Sequence, residues 1–380
     1  MNNRPLRVAW DNSLARRNPT GTGVYSSQLI RTLGQQPDLT LEVFNGWDPW
    51  GRTRGVYGNQ ALLARGSRAF TGLLWNHLYF PHLLRKKRFD VVHSPAFVIP
   101  FGCPCPSVVT ILDLSFLAFP AQFEQRWQTY VKAIMPSVLR TASGVICISE
   151  HSKEELLKSY DVSTDKIHVV HCGIDHARFH PDVKSDVDWL RSIGVTKDYV
   201  LHVGTLSQRK NIPLLLRAVA VLRSRGLFND HQLVLAGPEL PVLHGGSEIH
   251  AAIRDLGLQD VVVLTGHVAD DRLPGLYAHA KLLVMPSLYE GFGLPILESM
   301  ATGTPVVASN CSSIPEVAGD AAILVPPHDE QALADAIADV IGSHATAEEL
   351  RSKGLQRARQ FSWERSAAET LEVYRSVVRS

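Results

Sequence analysis

Short apolar runs alternate with stretches of helical period along almost the whole of this chain, and the alternation occurs twice. Leu6-Arg7-Val8-Ala9-Trp10 has the length and side chains of a strand. A loop containing Gly and Thr, from Asn12 to Gly23, separates it from a helix that repeats Tyr25, Leu29 and Leu33 on one face. Further strands are expected at Leu41–Phe44, Asp90–His93, Val108–Leu112, Val145–Ile148 and Ile167–Val170. A long helix is expected around Gln122–Arg140 and a shorter one after Ser149, where Ser152 and Glu155 fit a capping box. From His176 to Asp198 no apolar period is sustained, and Pro181 interrupts the segment, which therefore reads as a linker. The pattern then restarts with a strand at Tyr199–Val203, a loop at Gly204–Lys210 and a helix burying Ile212, Leu215, Leu216, Val219 and Leu222. Strands at Gln232–Ala236, Val261–Leu264, Lys281–Met285, Pro305–Ala308 and Ala322–Val325 follow. Short apolar strands that alternate with helices imply parallel sheets covered on both faces. The expectation is an α/β chain of two Rossmann-like domains, 1–180 and 181–361, with sheets facing across a cleft. Residues 362–380 form an amphipathic helix carrying Trp363, Ala367, Leu371 and Tyr374, expected to cross back to the first domain.

Several classes drop out on composition. With 380 residues, 45% hydrophobic and 20% charged, the chain is neither disordered nor low in complexity. No uncharged apolar run reaches the ~18–20 residues of a membrane span. The N-terminus enters its first strand without the apolar segment of a signal peptide, which reads as a cytoplasmic protein. Five scattered cysteines read as reduced thiols, and Cys103 and Cys105 share a Pro-rich loop. Charge is uneven: residues 1–180 carry 20 Lys and Arg against 13 Asp and Glu, residues 181–380 carry 18 against 24. A basic half joined to an acidic half suggests that the first domain faces something anionic. Trp47 to Arg88 combines Trp47, Trp50, Tyr57, Trp75, Tyr79 and Phe80 with eight cations from Arg52 to Arg88. No nucleic-acid module accompanies them, so a peripheral contact with a lipid-linked acceptor at the inner membrane face is favoured over nucleic acid.

The residues able to do chemistry concentrate between Ser287 and Ala301. A strand ends near Pro286, Gly291 and Gly293 free the backbone, and Pro295 stands where the first turn of a helix begins. Exposed N–H groups at such a start, with the helix dipole behind them, favour an anion such as a phosphate. Glu290, before that start, and Glu298, expected in the first turn, suit sugar hydroxyls flanking a diphosphate; dipole-complementing acids are the alternative. Gly204-Thr205-Leu206-Ser207-Gln208-Arg209-Lys210 is a second turn after a strand, with two adjacent cations before a helix. Cations there would stabilise charge developing on a leaving phosphate, unless they are merely a solvated pair. Gly21-Thr22-Gly23-Val24-Tyr25 is a glycine loop without the third glycine of the dinucleotide fingerprint, since Ser26 stands there. Asp186-Val187-Asp188 lies in the linker, where it reads as solvated acids, and the group His168, His171, His176 and His180 matches no compact metal site; no metal is expected.

The segment EGFGLPILESMATGTPVVAS resembles the E-x7-E region of the family 4 retaining glycosyltransferases, and the family's other motifs occur here in its order. The resemblance, strongest to a bacterial mannosyltransferase-like subgroup, implies the GT-B fold. It also implies transfer of a hexose, mannose favoured, from a nucleoside-diphosphate sugar to a hydroxyl of a glycan or lipid-linked glycan. No cofactor is implied, the nucleotide sugar being a co-substrate. Glu290, Arg209 and Lys210 are implied as catalytic. Gly21, Gly23, Thr205, Gly237, Gly266, His267, Val268, Gly291, Phe292, Gly293, Leu294 and Glu298 are implied on the donor side. Tyr25, His93 and Asp113 are implied on the acceptor side. Two positions depart from the pattern: Thr205 stands where many members carry Arg, and Leu112 where the family's T-I-H-D-L segment has His. Leu112 keeps open a non-catalytic nucleotide-sugar binder, and a UDP-sugar donor is a further alternative. A dinucleotide oxidoreductase is weakened by the broken glycine fingerprint.

Overall fold

The computed structural model of the protein describes residues 4–15, 21–46, 74–184, 186–239 and 246–379. Their strands form two six-stranded sheets in which every ladder is parallel. The first holds β1 (Leu6–Asp11), β2 (Leu39–Phe44), β3 (Val91–Ser94), β4 (Ser107–Ile111), β5 (Gly144–Cys147) and β6 (Ile167–Val169), in the order β2-β1-β3-β4-β5-β6. The second holds β7 (Asp198–Val203), β8 (His231–Ala236), β9 (Val262–Gly266), β10 (Leu282–Met285), β11 (Val306–Ser309) and β12 (Ile323–Val325), in the order β12-β11-β10-β7-β8-β9. All the expected strands are present, with ends shifted by no more than two residues. They were recognisable because strands covered on both faces need no polar alternation: β3, β4, β5, β10 and β11 are buried at every position.

In the second sheet the chain leaves β7 in one direction through β8 and β9, then returns to run outward through β10, β11 and β12. The reversal opens a crevice beyond the C-terminal ends of β7 and β10, where open parallel sheets bind ligands. The helix Ile212–Ser224 lines this sheet, burying Leu214, Leu215, Ala218, Val219 and Leu222 in one apolar core with Val200, Leu233 and Leu282.

By contact density the chain divides into two units. One comprises residues 1–114, 129–171 and 363–380, and the other comprises 115–128 and 172–362. The second unit begins earlier than residue 181 because the chain is already fastened to it. Ile174 bridges to Ser362, His176 Nε2 lies 2.9 Å from the Phe361 carbonyl, and Phe179 stands edge-on to Tyr277. The segment read as a linker also holds a short helix, Val187–Ser192, whose N-cap Asp186 accepts from the Trp189 N–H at 2.9 Å. At the helix Glu150–Ser159 the cap is Ser149, which accepts from the Ser152 N–H at 3.1 Å, so Ser152 lies inside the helix instead of starting it.

The C-terminal helix Trp363–Arg379 belongs to the first unit. Gly144 lets it approach β5, since a Cβ there would lie 3.1 Å from Val377 and 3.3 Å from Val373. Tyr374 carries the tie inward: its hydroxyl lies 2.6 Å from His93 Nδ1, His93 Nε2 lies 2.8 Å from Thr110 Oγ1, and Thr110 Oγ1 lies 3.1 Å from the Tyr25 hydroxyl. Two residues expected on the acceptor side belong to this chain of bonds. His93 and Tyr25 follow strand and loop motifs in sequence, and both are buried in the core, where His93 bonds Tyr374 of that helix and Thr110 of β4, and Tyr25 bonds Thr110. Burial pushes the His93 imidazole down from its usual 6.5 to about 3.

A neutral buried histidine makes stability fall with acid. The unfolded chain takes up the proton near pH 6.5 while folded His93 resists it until about pH 3, so the His93 contribution is complete above 6.5 and drains away as the pH falls through that window. Its slope approaches about 1.4 kcal/mol per pH unit. Denaturant melts at pH 7, 6, 5 and 4 are expected to show this decline, and a shallower one in His93→Gln.

Candidate active site

Three glycines end three adjacent strands of the second sheet. Gly204, Gly237 and Gly266 follow or close β7, β8 and β9 with φ of +146°, +154° and +64°, values that L side chains rarely adopt. The Gly204 N–H donates to the Ala236 carbonyl and the Gly237 N–H to the Gly266 carbonyl, each at 2.9 Å. A Cβ on Gly237 would run into the Gly204 carbonyl, and one on Gly204 would press on the Lys210 side chain, 3.0 Å from its Cε. The bare backbone therefore lets Lys210 fold back across the strand end. Thr205 is half-buried on this loop, Val268 is buried just beyond Gly266, and His267 between them is exposed.

Lys210 reaches Glu290. Its Nζ lies 2.6 Å from Glu290 Oε1, and both side chains are almost wholly buried. Arg209 Nη1 lies 3.2 Å from Oε2 and donates to the Tyr289 carbonyl at 3.1 Å. Ser287 Oγ adds a bond to Oε1 at 2.7 Å. Burial alone would raise the Glu290 carboxyl, but Lys210 and Arg209 beside it outweigh that and hold it down at about 2. The backbone is braced as well. The Glu290 N–H donates to Ser312 Oγ at 2.9 Å, while Ser313 Oγ donates to the carbonyls of Glu290 and Phe292, each at 2.9 Å. Across the crevice mouth the Leu288 N–H donates to the Arg209 carbonyl at 2.7 Å. Asn211, left-handed at φ +56°, bonds the Pro286 and Pro327 carbonyls through its amide. The loops after β7 and β10 are thus locked into one cluster of two cations and one carboxylate.

Below it starts the helix Leu294–Ala301. Its N-cap is Gly293 (φ +110°), no side chain caps it, and Pro falls in its first turn. Gly291 and Phe292 are buried in the turn that leads into it, Leu294 half-buried. Glu298 sits in the second turn, not the first, and Oε2 accepts a bond from the Tyr277 hydroxyl at 2.7 Å. Burial raises the Glu298 carboxyl, with Tyr277 and Arg178 opposing that rise. His202, on β7, is buried with Nδ1 2.9 Å from the Val284 carbonyl, and no partner for Nε2 exists among the described residues. Burial and then Lys210 lower its imidazole to about 4, so it stays neutral beside the cations.

Sequence reasoning gave no role to Ser287, Asn211 or His202, although they lie in the segments it singled out, and did not reach Tyr277, Ser312 or Ser313. Ser287, three residues from Glu290, and Asn211, next to Lys210, could have been found; the others meet the site only through the fold. Gly21 and Gly23, expected in a loop, instead open the helix Gly21–Leu33 in the first unit. Asp113 is half-buried just past β4, and Leu112 is buried, its carbonyl accepting from Ser152 Oγ at 3.4 Å. Among the described residues no three His, Cys, Asp or Glu side chains are grouped to hold a metal ion, and Asp186 is paired with Arg272.

Two family models match the chain: "Glycosyltransferase Family 4" over residues 19–178 and "Glycosyl transferases group 1" over residues 189–357. The O-antigen chain mannosyltransferase B of Escherichia coli is 31% identical, over 94% of this chain and 96% of that protein. Among solved structures, sucrose-phosphate synthase from Thermosynechococcus elongatus superposes with a TM-score of 0.74 at 21% identity, covering 98% of each chain. The Anabaena protein HepE, in complex with UDP and glucose, superposes with a TM-score of 0.70 at 19% identity, covering 98% of this chain and all of its own. These structural likenesses are likenesses of fold.

Removing the Glu290 charge would strand the Lys210 ammonium in a site it cannot leave. Glu290→Gln is expected to destabilise the protein by about 3 kcal/mol, the usual consequence of breaking a buried pair from one side. Arg209→Ala, at a side chain 25% exposed, is expected to cost far less. Urea melts of the two variants test the contrast.

Proposed function

The chain belongs to glycosyltransferase family 4, and from that premise we propose that it moves a mannosyl unit from GDP-mannose, with retention, to a hydroxyl of a lipid-linked glycan. It is a nucleotide-sugar-dependent glycosyltransferase, and its two parallel α/β units are those of the GT-B fold. The choice of mannose is supported by the relative named as a mannosyltransferase that aligns over nearly the full chain. The observation that carries the site assignment is the convergence of Lys210 and Arg209 on Glu290 where the second sheet reverses.

On this reading Lys210 and Arg209 meet the donor diphosphate, and their charge stabilises the phosphate as the glycosidic bond breaks, without a metal ion. The uncapped start of the helix Leu294–Ala301, reached through Gly291, Phe292 and Gly293, offers N–H groups to the same anion. Glu290, held ionised, accepts hydroxyls of the donor sugar, and Glu298 those of the ribose. The turns at Gly237 and at Gly266-His267-Val268, with Thr205, flank the base. The leaving phosphate takes the acceptor proton, so the chemistry needs no histidine at Leu112.

The acceptor is assigned to the first unit, with a peripheral contact to anionic lipid. Trp47 to Phe70, most of the aromatic and basic stretch, lies outside the described residues. Its described end supports the contact: the helix Phe80–Lys87 finishes on Arg85, Lys86 and Lys87, and Leu78, Tyr79 and Phe101 are exposed nearby. Phe101 stacks on His77 at 4.5 Å. No helix among the described residues is long and apolar enough to cross a membrane.

Two experiments test these assignments. In thermal-shift assays GDP is expected to stabilise the protein more than UDP or ADP. With the donor so identified, and in EDTA, Glu290→Gln is expected to lower kcat about a hundredfold or more, while Glu298→Ala raises donor KM about tenfold with kcat nearly kept. Unchanged kinetics in both variants would refute the site. Separately, flotation with vesicles containing phosphatidylglycerol is expected to carry the protein upward at low salt and not at high salt; no association at low salt would remove the membrane contact.

A further inference from the structure

We infer that Tyr277 is a positioning residue for nucleotide binding: its hydroxyl fixes one oxygen of Glu298 so that the other is presented to the donor ribose. The inference rests on the ribose assignment of Glu298 and names the residue that makes that assignment work.

The Tyr277 ring is fully buried in the second unit, on the helix Leu273–His279. It is held from three sides. Phe179 stands edge-on at 6.0 Å between ring centroids, Thr304 Oγ1 donates to the Tyr277 carbonyl at 2.7 Å, and the hydroxyl donates to Glu298 Oε2 at 2.7 Å. A phenol so confined has one hydrogen to give and one acceptor to give it to. Glu298 Oε1 carries no hydrogen bond among the described residues, and the side chain is half-buried, so this oxygen is the one open to a ligand. Two parallel hydroxyls of a ribose need a carboxylate that is both charged and fixed in rotation, and a bond donated to one oxygen favours both conditions.

The charge is contested. Burial opposes ionisation of Glu298, and Asp270 on the loop after β9 opposes it too. The Tyr277 hydroxyl and Arg178, which donates to the Asp270 carbonyl at 2.6 Å, favour it. Withdrawing the hydroxyl shifts that balance towards the protonated acid, which would donate to the ribose where it should accept. The phenol itself stays protonated, because burial and the adjacent Glu298 drive its ionisation far above neutral pH. Tyr277 is therefore a donor throughout the working range.

The test measures dissociation constants of GDP, with UDP and ADP alongside, by calorimetry from pH 5 to pH 8. Tyr277→Phe keeps the ring and its packing and deletes only the hydroxyl; Glu298→Gln keeps the shape of the ligand and deletes its charge. In Tyr277→Phe the nucleotide that binds the wild type is expected to bind about tenfold more weakly at pH 7. The acid limb of its binding profile should move to higher pH, because Glu298 now protonates earlier. In Glu298→Gln binding should be weak and that limb absent. If Glu298→Gln weakens binding but Tyr277→Phe changes neither affinity nor limb and lowers only the melting temperature, Tyr277 is structural and the inference fails alone. If Glu298→Gln binds as the wild type does, the ribose assignment fails and takes the inference with it.

Discussion

The buried pair of Lys210 and Glu290 is the contact on which the rest of the second unit's site depends. Taking both charges out of water costs several kcal/mol, and their attraction repays it only with good geometry and further hydrogen bonds. Those bonds are present: Ser287 and Arg209 complete the carboxylate, and Ser312 and Ser313 hold the Glu290 backbone. An apolar pair would have been a cheaper way to join the same two loops. The expense makes sense where the charges themselves are wanted, and the loops they join follow the two strands flanking the sheet's reversal. The bare backbone at Gly204 and Gly237 is part of the same arrangement, since side chains there would push Lys210 away from the strand end or drive the backbone apart.

The two units spend buried polarity differently. In the first, the chain Tyr374, His93, Thr110 and Tyr25 joins neutral groups by hydrogen bonds inside the core. Such a network specifies packing, here the docking of the C-terminal helix. In the second, the buried polar groups are charged or left open: two cations on one carboxylate, an unengaged oxygen on Glu298, an uncapped helix start. The difference separates His93 from Glu290, which look alike in sequence as polar residues at the ends of apolar strands.

The fold was legible because its determinants are local. A strand buried on both faces reads as an uninterrupted apolar run, and all twelve strands fell within two residues of their expected ends. The centre of the site was legible for a related reason: Arg209 and Lys210 are neighbours in the chain, and Glu290 lies in the turn that opens a helix. What escaped was set by long-range packing. Nothing near Glu298 announces Tyr277, 21 residues earlier on another helix, and nothing near His93 announces Tyr374, 281 residues away. Local chemistry also misled where two starts were equally plausible. Ser149 and Ser152 both suit a helix cap, and only the conformation of Ser149, extended at φ −154° and ψ 157°, decides between them.

The two cations beside Glu290 come from neighbouring positions on one turn. Many members place Arg directly after the glycine that ends this strand, where this chain has Thr205, half-buried and without charge. The second cation comes instead from Arg209, next to Lys210 on a single 3₁₀ turn, Gln208–Lys210. Successive side chains on such a turn point about 120° apart, so the two cations approach Glu290 from different directions and take different oxygens. Asn211, in the left-handed conformation, ends the turn and starts the next helix, which keeps Arg209 and Lys210 on the crevice side. On the proposed reading two positive charges are wanted near one phosphate, and this single turn delivers both.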